Sequence, residues 1–304
     1  MNTVRVRNKR LLVQLGFFIL FNAAFLGAPL LPLFVPVLEC FSMPYKTTLC
    51  NYGILQRNLS FDWAVIPVIP LASIAMILLF GAFVGRALCG WACPLGFSQD
   101  VASSVMSFIK VQQKELSQKL HFMLSSIKYI MLFVTLAIVS SVGIAHLLNV
   151  ILGKKYAFSL GICGKAPYCL ICPVPVLFVT LPSLAVSVFY GSPLPQLPMT
   201  FYIALFALVI FLVASIATKR AWCRYVCPLG AMMGLFNRFS LLRVKKKPNM
   251  CTTFCRGHQR ECSKNCPMGV QVQRTQDPSS TVDCIMCYEC AEACKNKAVE
   301  YKLG

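Results

Sequence analysis

RALCGWACPLG, residues 86–96, recurs as RAWCRYVCPLG at residues 220–230. Arg, Ala, both cysteines, Pro, Leu and Gly coincide, seven positions of eleven. Each copy follows an apolar run, and each is followed by apolar residues at helical spacing with basic residues between them. After the first copy these are Val101, Val105, Phe108 and Ile109 with Lys110 and Lys114; after the second, Leu235, Phe236, Phe239 and Leu242 with Arg238 and Arg243. Segments of this kind suit a membrane surface. The chain therefore reads as two parallel halves, each a helical hairpin ending in C-x3-C-P, related by a pseudo-twofold axis along the membrane normal. Such an axis would bring Cys89, Cys93, Cys223 and Cys227 face to face at one membrane boundary. Four thiolates converging there could hold a further iron–sulfur cluster or a metal; a dithiol pair and a structural helix terminus stand as alternatives.

Composition, working outward from the repeat, sets the class. Of 304 residues 57% are hydrophobic and 13% charged, and the mean hydropathy is +0.68. That is an integral membrane composition. The expected fold is all-α, with four transmembrane helices over about 11–38, 63–85, 127–152 and 200–218 in a membrane domain of residues 1–244. Residues 245–304 are expected to form a small C-terminal two-cluster ferredoxin-like domain. The basic start (Arg5, Arg7, Lys9, Arg10) and the apolar run after it imitate a signal peptide, but the run far exceeds a signal h-region, so an anchored first helix is expected. Residues 176–190, VLFVTLPSLAVSVFY, are short and broken by Pro182, and read as an interfacial or re-entrant segment.

Charge sets the orientation. With four crossings, 24 of the 29 Lys and Arg fall on one side, leaving Lys46, Arg57, Lys154, Lys155 and Lys165 on the other. The positive-inside rule then puts both termini and the C-terminal domain in the cytoplasm, as in a multi-pass protein of the cytoplasmic (inner) membrane. The net charge of +19 is thus a topology and membrane-surface signal, and no nucleic-acid partner is implied.

CIMCYECAEAC, residues 284–294, sets Cys284, Cys287, Cys290 and Cys294 at C-x2-C-x2-C-x3-C, the spacing of a bacterial ferredoxin run. Three thiolates from one tight loop reach three corners of an iron–sulfur cube, and the fourth serves the other cluster. On this exchange Cys284, Cys287, Cys290 and Cys266 hold one [4Fe-4S] cluster, and Cys251, Cys255, Cys262 and Cys294 the second. The earlier run is irregular, with x3, x6 and x3 gaps before Pro267, and Cys294 is followed by Lys295 rather than proline. A structural zinc site is the rival, but zinc loops show two separated C-x2-C pairs rather than a triple run.

The remaining cysteines lie in the loops expected outside. Cys40 and Cys50 are close enough in sequence to form a disulfide in an oxidising compartment. Cys163, Cys169 and Cys172-Pro173, within CGKAPYCLICP, end in another cluster-like step, so a metal centre there, with Cys40 or Cys50 as fourth ligand, is the competing reading. Several functions lack their residues. His121 and His146 are 25 residues apart, ~37 Å along a helix, which does not suit a membrane b-haem, and there is no C-x-x-C-H for c-haem. No G-x-G-x-x-G or P-loop is present, and no carboxylate falls within a span for an ion pathway. His146 is left as a helix-end residue or a hydrogen-bond partner for a quinone.

Four spans, two C-x3-C-P motifs and a two-cluster C-terminal domain together resemble the NapH type of membrane quinol dehydrogenase subunit, a class that also includes the C-terminal part of NosR-type regulators and the CcoG-type oxidase assembly proteins. WCRYVCPLGAMMGLFNRFSLLRV, residues 222–244, is the most telling segment. The resemblance implies a membrane electron-transfer subunit of a hetero-oligomeric complex, relaying electrons between a quinone and a protein redox partner. It carries over Cys89, Cys93, Cys223 and Cys227 as the C-x3-C-P residues and the eight C-terminal cysteines as cluster ligands. The CcoG side of the resemblance implies a copper reductase or assembly factor instead. The CGKAPYCLICP loop is outside the basic NapH pattern.

Overall fold

The computed structural model describes residues 3–21, 50–61, 68–111, 113, 117–152, 166–191, 199–247, 261–272, 275–294, 296 and 298–303. The architecture is mostly helical. In chain order the helices are α1 (Thr3–Phe21), α2 (Asn51–Phe61), α3 (Val68–Val84), α4 (Ala87–Trp91), α5 (Pro94–Phe108), α6 (Gln118–Leu152), α7 (Pro167–Ile171), α8 (Leu181–Phe189), α9 (Met199–Ala217), α10 (Ala221–Tyr225), α11 (Pro228–Phe236), α12 (Glu261–Lys264) and α13 (Glu289–Glu292). Two strands, β1 (Leu242–Lys246) and β2 (Val299–Leu303), pair antiparallel with Leu242 opposite Leu303 and Lys246 opposite Val299.

Among the described residues two helices are long and apolar enough to cross a membrane: Lys119–Ala145 within α6, of mean hydropathy 2.1, and α9, of mean hydropathy 2.6. Only 17% and 28% of their most apolar windows are buried. The core helix of a soluble protein would bury most of such a window, so these helices turn apolar side chains to their surroundings. The shorter α3 does the same with Leu71, Leu79 and Phe83.

Both C-x3-C-P copies fold alike, for a reason visible in the residues. Proline disfavours helical geometry in the residue before it and suits the first position of a helix. Cys93 and Cys227 are accordingly extended, with φ/ψ of −73°/121° and −69°/112°, while Pro94 and Pro228 open α5 and α11. The amides of Cys93 and Cys227 each bond back into the preceding short helix, to the carbonyls of Leu88 and Trp222, at 3.0 Å in both copies. The motif is thus a one-turn helix, an extended cysteine and a new helix.

Two compact units emerge. The first comprises Met1–Leu20, Ile77–Tyr129 and Ser215–Gly304 and contains both motifs and the C-terminal cysteine run. Its core is cross-braced by the arginine that opens each copy. Arg86 donates from Nη2 to the Cys223 carbonyl at 3.0 Å, and Arg220 donates from Nη1 to the Cys89 carbonyl at 2.9 Å. Each guanidinium passes over the glycine of the other copy: a Cβ on Gly96 would lie 3.5 Å from Arg220 Nη2, and one on Gly230 2.7 Å from Arg86 Nη2. Both arginines are wholly buried. Arg220 is matched by Asp100, which accepts from its Nε at 2.8 Å and also from its Nη2; Arg10 Nη2 at 3.0 Å and Gln14 Nε2 at 2.9 Å complete the set around this carboxylate. Arg86 is matched by Asp283 at 3.5 Å, which also pairs with Lys128. α5 ends with the Val111 amide on the Met106 carbonyl and the Lys110 amide on that of Ser107, with Lys110 at φ 61° where glycine is the usual residue.

The second unit comprises Phe21–Met76 and Ile130–Ala214. Here α2 meets α7: the Tyr168 amide donates to Gln56 Oε1 at 3.1 Å, and the Tyr52 and Tyr168 rings stand edge to face. The Tyr52 hydroxyl bonds with that of Thr135. The segment expected to be interfacial or re-entrant is helical, with a π-turn over Val176–Thr180 just before Pro182. Pro182 has no N–H for the carbonyl four residues back, and the widened turn accommodates that missing bond. Pro173–Phe189 is one of the shorter apolar helices.

Two outcomes follow from these contacts. A Cβ on Gly90 would meet the Ile285 carbonyl at 2.5 Å, whereas one on Gly16 meets nothing within 4 Å. Gly90→Ala should therefore lower the thermal stability of the purified protein, by about 1–3 kcal/mol, while Gly16→Ala leaves it unchanged or raises it by up to ~1 kcal/mol. The second outcome concerns acid. Burial alone would raise the Asp100 carboxyl, but Arg220, Arg10 and Gln14 outweigh it and hold the group below the ordinary carboxylate range. Its contribution to stability is complete above the unfolded value of ~3.9 and is lost as pH falls through the lower folded value. In an acid titration followed by circular dichroism, the wild type should lose stability below about pH 4. Asp100→Asn should blunt that dependence and, by leaving buried guanidinium unmatched, cost about 3–5 kcal/mol at neutral pH.

Candidate metal centre

Cys266, Cys284, Cys287 and Cys290 line one cavity, whose other walls include Val244, Met268, Val270, Ile285 and Met286. The loop that carries three of them bends through two non-glycine residues of left-handed geometry, Met286 at φ 50° and Tyr288 at φ 70°. Conformations of that kind persist only where the surroundings enforce them. The enforcement comes from the C-x3-C-P region. Asn237 Nδ2 donates to the Thr281 and Cys284 carbonyls at 2.9 and 2.8 Å, Trp91 Nε1 to the Met286 carbonyl at 3.0 Å, and Arg86 Nη1 to the Val282 carbonyl at 2.9 Å. On the other side the Arg224 guanidinium lies against Gly269, at φ 69°, in the turn after Cys266.

Backbone amides reach the sulfurs. Cys266 accepts from Val270 at 3.3 Å and also from Met268, Cys284 from Met286, and Cys287 from Glu289. Burial, with the neighbouring sulfurs adding to it, pushes the Cys284 thiol up to about 12 and those of Cys287 and Cys290 higher still. Four sulfurs in so dry a space keep their protons unless a positive core displaces them. The donor set, the N–H···S bonds and the apolar walls fit an iron–sulfur cube. A lone ion fits less well. Among the described residues no three His, Cys, Asp or Glu side chains gather where a single metal ion could be held, as a zinc site with ~2.3 Å Zn–S bonds would require.

Cys89, Cys93, Cys223 and Cys227 are all buried. Burial raises the Cys227 thiol well above its ordinary value, and Cys223, Cys89 and Cys93 all lie near enough to add to the shift. The fold thus brings the quartet together across the two copies. Gln99 Nε2 donates to Cys223 Sγ at 3.0 Å and the Gly230 amide to Cys227 Sγ at 3.3 Å. The Gln99 carbonyl accepts the Trp222 amide at 3.0 Å, which holds that side chain in place.

The other candidates divide. Cys262, in α12, is close enough to Cys290 to influence it electrostatically, and Cys294 Sγ accepts the Ala298 amide at 3.3 Å. Cys251 and Cys255 lie outside the described residues, as do Cys163 and Cys40. Cys169 and Cys172 flank the end of α7, Cys172 being extended before Pro173 as Cys93 and Cys227 are before their prolines. Cys50 is buried at the start of α2, the helix that packs on α7, and its sulfur accepts the Gly53 amide at 3.3 Å. Neither the Cys40–Cys50 pairing nor a complete site with Cys163 falls within the described residues. The side chain of His146 is likewise outside them, and His121 Nδ1 accepts from Arg224 Nε at 3.3 Å.

Sequence reasoning passed over the groups that hold these sulfurs: Arg86, Arg220, Asp100, Gln99, Asn237 and Trp91. One signal was available. Arg opens both copies of the repeat, and the chain has only 10 acidic residues to match its 29 basic ones, so the repeated arginine itself marks a functional position although its partner is distant in sequence.

A family model described as a 4Fe-4S binding domain matches the chain twice, over residues 66–111 and 200–249. Both matches contain a C-x3-C-P motif and the second stops before Cys251. An uncharacterized protein of Methanocaldococcus jannaschii is 26% identical over 83% of this chain and 86% of its own. Ferredoxin-type protein NapH of Haemophilus influenzae is 25% identical over 75% of this chain and 66% of its own. Regulatory protein NosR of Stutzerimonas stutzeri is 26% identical over 71% of this chain but only 24% of its own, so it is a far longer protein. No solved structure matches. On these matches, and on the paired cysteine motifs they cover, the chain is similar to the ferredoxin-type proteins of the NapH and NosR kind.

Proposed function

We propose that this protein relays electrons between a membrane quinone and a protein redox partner through iron–sulfur clusters. Cys266, Cys284, Cys287 and Cys290 hold one [4Fe-4S] cluster in this reading, and Cys251, Cys255, Cys262 and Cys294 a second. The quartet Cys89, Cys93, Cys223 and Cys227 holds a third. One observation carries the proposal: Arg86 bonds both the Val282 carbonyl, beside the cavity lined by four cysteines, and the Cys223 carbonyl of the buried quartet, while Trp91 and Asn237, from the segments of the two C-x3-C-P copies, hold the rest of the cysteine loop. The double match of a 4Fe-4S model to the halves that contain the quartet supports the third site.

Clusters bound there supply one-electron chemistry, so no general acid, base or nucleophile is called for. The chain's own residues set the energetics. Amides from Met268, Val270, Met286, Glu289 and Gly230 donate to sulfur, which stabilises added electrons, and the buried Arg86 and Arg220 do so by charge. Apolar walls keep water from the sulfurs. Four crossings with both termini in the cytoplasm, two parallel halves, a C-terminal domain of residues 245–304 and a hetero-oligomeric complex complete the reading. The distribution of Lys and Arg and the outward apolar faces of α3, α6 and α9 support it.

Anaerobic purification followed by iron and sulfide analysis and low-temperature EPR tests this directly. The dithionite-reduced protein should be brown and EPR-active, and Cys287→Ala should remove one signal with ~4 iron per chain. A Cys89→Ala/Cys223→Ala variant should lose a separate set of ~4 iron while keeping the signal that depends on Cys287. Iron-free, colourless protein from anaerobic cells would refute the reading. Reduction of the clusters by a quinol in lipid nanodiscs checks the quinone half, which fails if only dithionite reduces them.

A further inference from the structure

A second cavity in the same compact unit, of about 420 Å³, has nothing to do with sulfur. Arg7 and Arg10 of α1, Ser103 and Ser107 of α5, Lys110 at its end and Lys219 just after α9 face it. Its two carboxylates are already engaged, Asp100 by Arg220 and Arg10, and Glu289 by Arg10 at 2.7 Å. Arg7, Lys110 and Lys219 make no ion pair within bonding distance among the described residues. Three cations are therefore left over at one cavity. Arg7 Nε, Arg10 Nε and Ser103 Oγ are also buried there without a hydrogen-bond partner, and Arg10 Nη1 meets Glu289 Oε1 as an ion pair without hydrogen-bond geometry. Buried polar atoms are normally satisfied, so an unmatched guanidinium N–H and a hydroxyl beside surplus positive charge call for a ligand that accepts only and is anionic.

The geometry of α5 narrows the ligand. Asp100, Ser103 and Ser107 fall at i, i+3 and i+7, one face of the helix; Val101, Val105 and Phe108 occupy the other face and are exposed, Phe108 at 89%. The anion-seeking face and a bare apolar face thus share one short helix, as they do where a helix lies at the level of lipid headgroups. Basic pockets of this kind at the cytoplasmic boundary suit phospholipid headgroups. We propose that this cavity is a phosphate-binding site occupied by the headgroup of an anionic phospholipid. Its wall includes Pro267 and Glu289, the residues directly after Cys266 and before Cys290, so headgroup occupancy is felt next to the cysteine-lined cavity. The left-handed Lys110 that ends α5 aims a cation here at a place where glycine would be less strained.

Native mass spectrometry of the full chain in detergent tests this, titrating phosphatidylglycerol, phosphatidylcholine and inorganic phosphate in parallel. Phosphatidylglycerol should bind and phosphatidylcholine should not compete. Lys110→Gln/Lys219→Gln should weaken phosphatidylglycerol binding about thirtyfold, at about a factor of five per cation, with iron content unchanged. Ser103→Ala, which deletes a hydroxyl that has no protein partner, should weaken it about tenfold and serves if the lysine pair does not fold. Displacement of the lipid by millimolar inorganic phosphate would keep the phosphate site and assign it to the free anion. Equal binding of phosphatidylcholine, or undiminished phosphatidylglycerol binding by both variants, would overturn the proposal.

Discussion

A guanidinium with no access to water has to find its counter-charge and its acceptors inside the protein, and the first compact unit is arranged to meet that demand twice. Arg220 takes Asp100 and the Cys89 carbonyl; Arg86 takes Asp283 and the Cys223 carbonyl. Because each arginine comes from one copy of the repeat and bonds the cysteine backbone of the other, neither copy can slide without stranding a buried charge. The net stability of such pairs is modest, since desolvation consumes most of the Coulomb gain, but the penalty for misalignment is large. Register is what they provide. Glycines at positions 90, 96, 230 and 234 follow from the same arrangement, because backbone or guanidinium from elsewhere occupies the space a Cβ would need.

This bracing extends to the C-terminal loop. Arg86 and Asn237 hold carbonyls on either side of Asp283, and Trp91 holds that of Met286. The left-handed residues Met286 and Tyr288 are thereby kept in conformations the loop would not hold alone. The β1–β2 ribbon would not be stable in isolation either; Val244 and Val299 are buried, and the ribbon is stable because it closes over the cysteine cavity. Sulfur ligands, strained loop and arginine braces therefore behave as one cooperative structure, in which loss of one charge pair reaches the thiols through two or three hydrogen bonds.

Charge is distributed to a second purpose in the same unit. Acidic groups are few and are used where arginine is buried, so Arg7, Lys110 and Lys219 remain as surplus cations along one cavity. The excess of positive charge that the composition reports is thus not uniform: part of it is neutralised internally and part is presented beside the exposed apolar face of α5.

Local rules made several features legible from residues alone. Proline after cysteine dictates an extended residue and a new helix, so both C-x3-C-P copies, and the Cys172-Pro173 step, could be read as the same local geometry. Apolar length marked α6 and α9, and short gaps grouped Cys284, Cys287 and Cys290, since three thiols on so short a loop cannot be far apart. Cys266 joins them at one cavity through the fold of the intervening segment. The partners of Arg86, Arg220, Asp100 and Asn237 were not legible, because each bond spans more than forty residues and depends on how helices pack. Sequence alone therefore determined where the chain must bend and where sulfur is concentrated, for those follow from backbone sterics and spacing. Only the tertiary structure decided which buried charge answers which, because a guanidinium's partner is chosen by proximity in space and by the cost of leaving it unmatched.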